Sequence, residues 1–388
     1  MKKYTINNKL AFYSGLIYLT IMTLFVIIKV LSYFGLLDFY GSDYIFKILV
    51  QIGFMFLLPL FLYSKIFKTN LKQTFYHFGF RKTSKKSIWV SVILGICMFV
   101  LINYFSSLWV ALLNLFGFKF FSSGAGDYSV LSFFLNILFV GILPAVCEET
   151  THRGLVLNGI KKNGNIRAIV LTGLLFGFMH FNILQFGYAS LVGMLLCFVT
   201  LLSRSIYPAM IMHFVNNFLS VFLSFSLNSN WLKNSIVDYF ISFEENSNPI
   251  LLTIMKFLVV LIAFYVLFWG IAKLFVEGKK KSYTEFKYNL KKEIEGTDLE
   301  KDINVDDDKQ VSELFREVHL INLEKQLKDK KITIHDIIGN STKKSTEMML
   351  SEKLEAPEKK KYSDYIFFYI ALFLGSLGTI ATLVLGFI

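Results

Sequence analysis

Nine apolar stretches follow one another along the chain, and no soluble core can bury them all. They lie at Leu10–Ile28, Ile45–Tyr63, Ile88–Phe116, Val130–Cys147 (with helix continuing to Ile160), Ile166–Phe186, Ala189–Leu202, Ile206–Phe225, Ile250–Phe275 and Tyr365–Ile388. The sixth is the shortest. A hydrocarbon layer is crossed by about 20 mostly apolar residues. In lipid every backbone N–H and C=O must find its partner inside the protein, which runs of this kind achieve as helices. Hydrophobic residues make up 54% of the chain and charged residues 18%, against about 25% charged in soluble domains. The fold class expected is an all-α polytopic membrane protein. Lys2, Lys3 and Lys9 precede the first stretch like the start of a signal peptide, but the apolar run is too long and lacks a small-residue cleavage site. It reads as a retained span.

Charge sets the orientation. Between Ser64 and Ser87 stand Lys65, Lys68, Lys72, Arg81, Lys82, Lys85 and Lys86, with no acid. Positive loops stay on the cytoplasmic side. On this count the N-terminus is cytoplasmic and the C-terminus extracytoplasmic, in a multi-pass protein of the cell membrane. The loops with Lys161, Lys162 and Arg167, with Arg204, and with Lys279–Lys281 then all fall inside. The net charge of +12 is therefore explained by topology, and no aromatic-basic pattern points to nucleic acid.

Residues 277–363 are polar and charged. Val311, Leu314, Phe315, Val318, Ile321 and Leu327 recur at helical spacing, so one amphipathic helix is expected there, with partial disorder elsewhere. Two readings stand: a solvated tether to the last span, or a docking element for a cytosolic partner. The last span carries Gly375, Gly378, Thr379 and Gly386, which permit close helix contact.

Ionisable groups inside a bilayer are costly and mark functional sites. Lys29, Lys47, Lys256 and Lys273 lie near span ends and can snorkel. Glu148, Glu149, Arg153, His180 and His213 cannot be set aside so easily. Pro144 is expected to kink its helix just before the acids. Glu149 and Arg153 are four apart with the acid first, the favourable order for a pair. Glu148 points about 100° away and is left as a working carboxylate, with His152 one turn on. His180 sits in Phe176-Gly-Phe-Met-His180. His213 and Asn217 share a helix face, while Asn216 points elsewhere and has a capping or packing role open to it. Alone, each motif also fits a packed structural role. Together they supply a carboxylate and a histidine to activate water, and a histidine and an amide to stabilise an oxyanion. Cys97, Cys147 and Cys197 are too few and too apolar in setting for a disulfide scaffold. A nucleophilic Cys147 is disfavoured by its apolar surroundings.

Glu148-Glu149-x-x-x-Arg153, Phe176-x-x-x-His180 and His213-x-x-x-Asn217, in that order on successive spans, resemble the three motifs of the CAAX-protease and bacteriocin-processing family (CPBP, Abi-type). This is a family of intramembrane endopeptidases that includes the eukaryotic Ras-converting CAAX endopeptidase. The resemblance covers residues 134–227. It implies an eight-span helical core enclosing an intramembrane cavity open to the cytosol, to which this chain adds a C-terminal ninth span. It implies Glu148 as general base with His180 on the water, His213 and Asn217 as the oxyanion hole, Glu149 and Arg153 in support, and no cofactor. The organisation expected is N-terminal spans to residue 129, the motif-bearing core over 130–227, an outer loop and eighth span over 228–276, the charged segment 277–363, and the last helix over 364–388.

Three other readings remain open on the sequence. A zinc protease would use Glu148, His180 and His213 as ligands, although the His-Glu-x-x-His helix motif is lacking. A non-catalytic scaffold or bacteriocin-immunity protein would use the same cavity to bind. A transporter would couple to protons, although no inverted repeat supports it. The substrate implied is a peptide or a membrane-anchored protein.

Overall fold

A computed structural model describes residues 9–36, 42–119, 126–161, 164–232, 242–243, 245–295, 303–317 and 365–385. The described residues are overwhelmingly helical and contain no strand. Among the described residues, eight helices are long and apolar enough to cross a membrane. The helices are α1 (Leu10–Tyr33), α2 (Tyr44–Phe67), α3 (Leu71–His77), α4 (Lys85–Leu115), α5 (Val130–Ile160), α6 (Asn165–Phe178), α7 (Ile183–Ser203), α8 (Tyr207–Asn228), α9 (Pro249–Ile294), α10 (308–317) and α11 (Ile366–Leu385). The chain forms two compact units, 1–276 with 360–388, and 277–359.

The fifth apolar stretch differs from expectation. It does not run through to Phe186: α6 ends at Phe178, and Phe186 belongs to α7. A helix of 14 residues is about 21 Å long, short of a hydrocarbon core of about 30 Å. The break is made by His180-Phe181-Asn182. Phe181 is left-handed (φ +48°), and the Asn182 side chain caps α7 by accepting from the Leu184 N–H at 2.9 Å. Hydropathy reads through this turn because its neighbours are all apolar. α7 consequently starts at Ile183, six residues before the expected Ala189.

α6 and α7 then pack backbone to backbone. A Cβ placed on Gly193 would lie 2.9 Å from the Gly173 Cα, and one on Gly177 would lie 2.9 Å from the Phe186 carbonyl oxygen. Without side chains at these points the two helices come close enough for main-chain groups to face neighbours, as small residues allow in membranes.

α2 and α5 are not uniform α-helices. α2 is π-helical over Leu49–Leu57, and α5 over Ile137–Ile142 and Thr150–Val156. π turns mark functional stretches of helices. Pro144 follows the first π turn of α5, so the expected disturbance is a change of helical pitch just before the acids. Lacking an N–H, Pro144 cannot bond the carbonyl of Val140 four residues back. That carbonyl takes a side chain from α8 instead, described below.

α11, placed last in the chain, packs on the first helix. Phe367 and Phe368 close on Gly15 of α1, and Phe367 stacks edge-on with Phe12. In the unit 277–359, Leu290, Ile303, Val305 and Val311 form a buried cluster, and Phe315 sets its ring against Tyr283 and Phe286. The helix expected from Val311, Leu314 and Phe315 is present as α10, whereas Val318, Ile321 and Leu327 lie outside the described residues, as does Gly386. α9 continues as helix to Ile294, beyond Phe275 where the eighth span was expected to stop.

Candidate active site

Glu149 and Arg153 are both fully buried and pair at 2.8 Å, as their spacing predicts. The pair is also the hub of four helices. Arg153 donates a second hydrogen bond to the Gly193 carbonyl of α7 at 3.0 Å and lies 4.7 Å from the centre of the Phe176 ring of α6. Glu149 Oε1 accepts from His213 Nδ1 of α8 at 2.8 Å. A carboxylate in this setting only accepts, so the Nδ1 proton of His213 is directed at Glu149. His213 Nε2 then carries a proton to donate only in the imidazolium form.

Glu148 is set apart from this hub, as its helix angle requires. It is buried but lines the cavity, and its Oε1 accepts from Gln51 Nε2 of α2 at 2.9 Å. His152 does not reach the Glu148 carboxylate. Its Nδ1 donates to the Glu148 main-chain carbonyl at 2.9 Å, and its Nε2 lies 3.2 Å from the Tyr18 hydroxyl. His152 is fully buried, and with Tyr18 it forms a pillar behind the site.

His180 stands at the turn after α6. Its Nδ1 donates to the Phe176 carbonyl at 2.9 Å, one of the last helix carbonyls, which lack intrahelical partners. Nδ1 therefore holds the proton of the neutral ring, and Nε2 offers a lone pair. Asn217 Nδ2 donates to the Val140 carbonyl at 2.8 Å, the group that Pro144 leaves free. One proton of that amide remains, while Asn217 Oδ1 accepts from Asn216 Nδ2 at 3.0 Å.

A cavity of about 420 Å³ brings these groups together. Glu148, His180, His213 and Asn217 line it, and so does Asn216, whose capping or packing role was left open. Glu149 and Arg153 do not, and neither does Cys147. Asn103, Ser106, Gln185 and Tyr188 add polar groups to the lining, and Phe139, Val140 and Val192 add apolar ones. Gln51, Tyr18 and Gln185 are the contributors that motif reasoning passes over. Each is a polar side chain within a mostly apolar run, the one local sign of them in the sequence.

Among the described residues no three His, Cys, Asp or Glu side chains are grouped to hold a metal ion.

Residues 130–219 match the family described as Rce1-like, Type II CAAX prenyl endopeptidase Rce1-like. The match spans under a quarter of the 388 residues and contains all seven motif residues. No curated protein and no solved structure matches the chain. The match agrees with a membrane endopeptidase of the CAAX-protease type, embedded in a bilayer as a multi-pass protein. The stretch 130–219 that matches the Rce1-like family is the stretch that carries the three motifs.

Proposed function

We propose that the chain is an intramembrane endopeptidase that hydrolyses a peptide bond in a peptide or membrane-anchored substrate with an activated water and no metal. The observation that carries this reading is the division of the motif residues. Glu148, His180, His213 and Asn217 face one cavity, while Glu149 and Arg153 are sealed behind it. A water in that cavity gives its proton to Glu148 and is oriented by the lone pair of His180 Nε2. Its oxygen attacks the substrate carbonyl carbon. The oxyanion receives hydrogen bonds from His213 Nε2–H, in the imidazolium form facing Glu149, and from the remaining Asn217 amide proton. The C–N bond then breaks and Glu148 passes its proton to the leaving amine.

The test is to incubate the purified protein in liposomes with a library of lipidated and amphipathic peptides in ¹⁸O-water. New C-termini bearing ¹⁸O are expected. Asn217→Ala should lower the rate about 100–1,000-fold while leaving residual turnover, as loss of one oxyanion donor does. Chelators should change nothing. Activity lost on chelation and restored by zinc would overturn the metal-free mechanism.

The orientation belongs to the same proposal: cell membrane, with Lys72 and Asn304 on the cytoplasmic side. Cysteines placed at these two exposed positions should resist membrane-impermeant reagents in sealed cells and react after lysis. Labelling of either from outside would reverse the topology.

A further inference from the structure

The turn that carries His180 is held by the helix farthest from it in sequence. α6 ends at Phe178, Phe181 is left-handed, and Ile183 opens α7. α11 touches each of these three residues. Gly375 lies so close to Phe178 that an added Cβ would stand 2.6 Å from the Phe178 Cβ, and Gly378 leaves no room for a Cβ beside the Phe181 ring. Thr382 Oγ1 accepts from the Ile183 N–H at 2.9 Å. That N–H is among the first of α7, which have no partner within their own helix. The Thr382 hydroxyl proton goes to the Thr379 carbonyl at 2.8 Å, which turns its lone pair toward Ile183. A left-handed conformation at a bulky residue persists only when its surroundings enforce it. Phe181 meets that need through α11 and through the edge of Phe25 in α1.

We propose that α11 is a working part of the active site. Thr382, with Gly375 and Gly378, positions His180 by clamping residues 178–183 from behind. α11 lies outside the segment that matches the family, so this clamp is an addition that the motifs do not announce. The inference rests on the hydrolytic reading above, in which His180 orients the water.

Thr382→Val keeps the shape and removes the acceptor, while Thr382→Ser keeps the hydroxyl. Two readouts are made on the full chain in nanodiscs. The first is the imidazole ¹H–¹⁵N spectrum. With six histidines in the chain, His180 is assigned by its absence in His180→Gln. Thr382→Val should move the His180 signal and leave that of His77 in place, and Thr382→Ser should restore the wild-type position. Gly378→Ala, which crowds Phe181, should move the same signal. The second is turnover of a library peptide that the wild type cleaves. Thr382→Val should lower kcat about tenfold with KM unchanged, because small misplacements of catalytic groups are costly. The same change in a His180→Ala background should add nothing.

An unmoved His180 signal in both Thr382→Val and Gly378→Ala would overturn the proposal. So would a kcat loss that persists in full without His180. If wild type cleaves no peptide, the hydrolytic reading fails, and the spectrum alone decides whether α11 holds His180.

Discussion

Arg153→Ala should remove most of the folded protein from the membrane fraction. The guanidinium is fully buried and is committed to Glu149, to the Gly193 carbonyl and to the face of Phe176. Removing it leaves the Glu149 carboxylate inside the protein with only His213 as partner. Breaking a buried pair on one side costs about 3–5 kcal/mol, a large share of the roughly 5–15 kcal/mol that holds a typical domain together. Glu149→Gln should lose yield by the same argument from the other side, and should also slacken His213. Arg153→Lys should fall between wild type and Arg153→Ala, because an ammonium keeps the charge but lacks the planar fork that reaches two acceptors. Fluorescence-detected size-exclusion chromatography of tagged variants measures the yield. An abundant, monodisperse but inactive Glu149→Gln would mean that the two glutamates have exchanged roles.

Much of this arrangement was legible in the sequence, for identifiable reasons. The Glu149–Arg153 pair follows from a spacing of four on a helix, and the separate fate of Glu148 from the angle between adjacent residues. Both survive the π turn that starts at Thr150. What could not be read were relations between helices. Nothing in the spacing says that Glu149 also serves His213, that Gln51 reaches Glu148 from α2, or that His152 turns to a main-chain carbonyl. The break at Phe181 was hidden for another reason. Hydropathy averages over a window, and a three-residue turn among phenylalanines barely changes the average. Asn182, a good N-cap residue, was the local sign. The last helix read as an appendage because small residues say that a close contact exists without saying with what. Its contact turns out to be the turn behind His180.

Glu148→Gln should abolish hydrolysis and leave the amount of folded protein unchanged. The amide occupies the same volume and still accepts from Gln51, so the fold has little to lose. It cannot take a proton from water, and loss of a general base costs about 100–10,000-fold. In the proposed mechanism the same group also returns the proton to the leaving amine, so the effect belongs at the upper end of that range. The contrast with Arg153→Ala is the signature of the site: one variant is present and silent, the other is absent. The direct measurement is the single-turnover rate of ¹⁸O incorporation from water into the new C-terminus of a cleaved peptide. Wild type and Glu148→Gln are compared at equal amounts of monodisperse protein in the same liposomes. The account predicts incorporation by wild type and none above background by Glu148→Gln. Equal rates from the two proteins would contradict it.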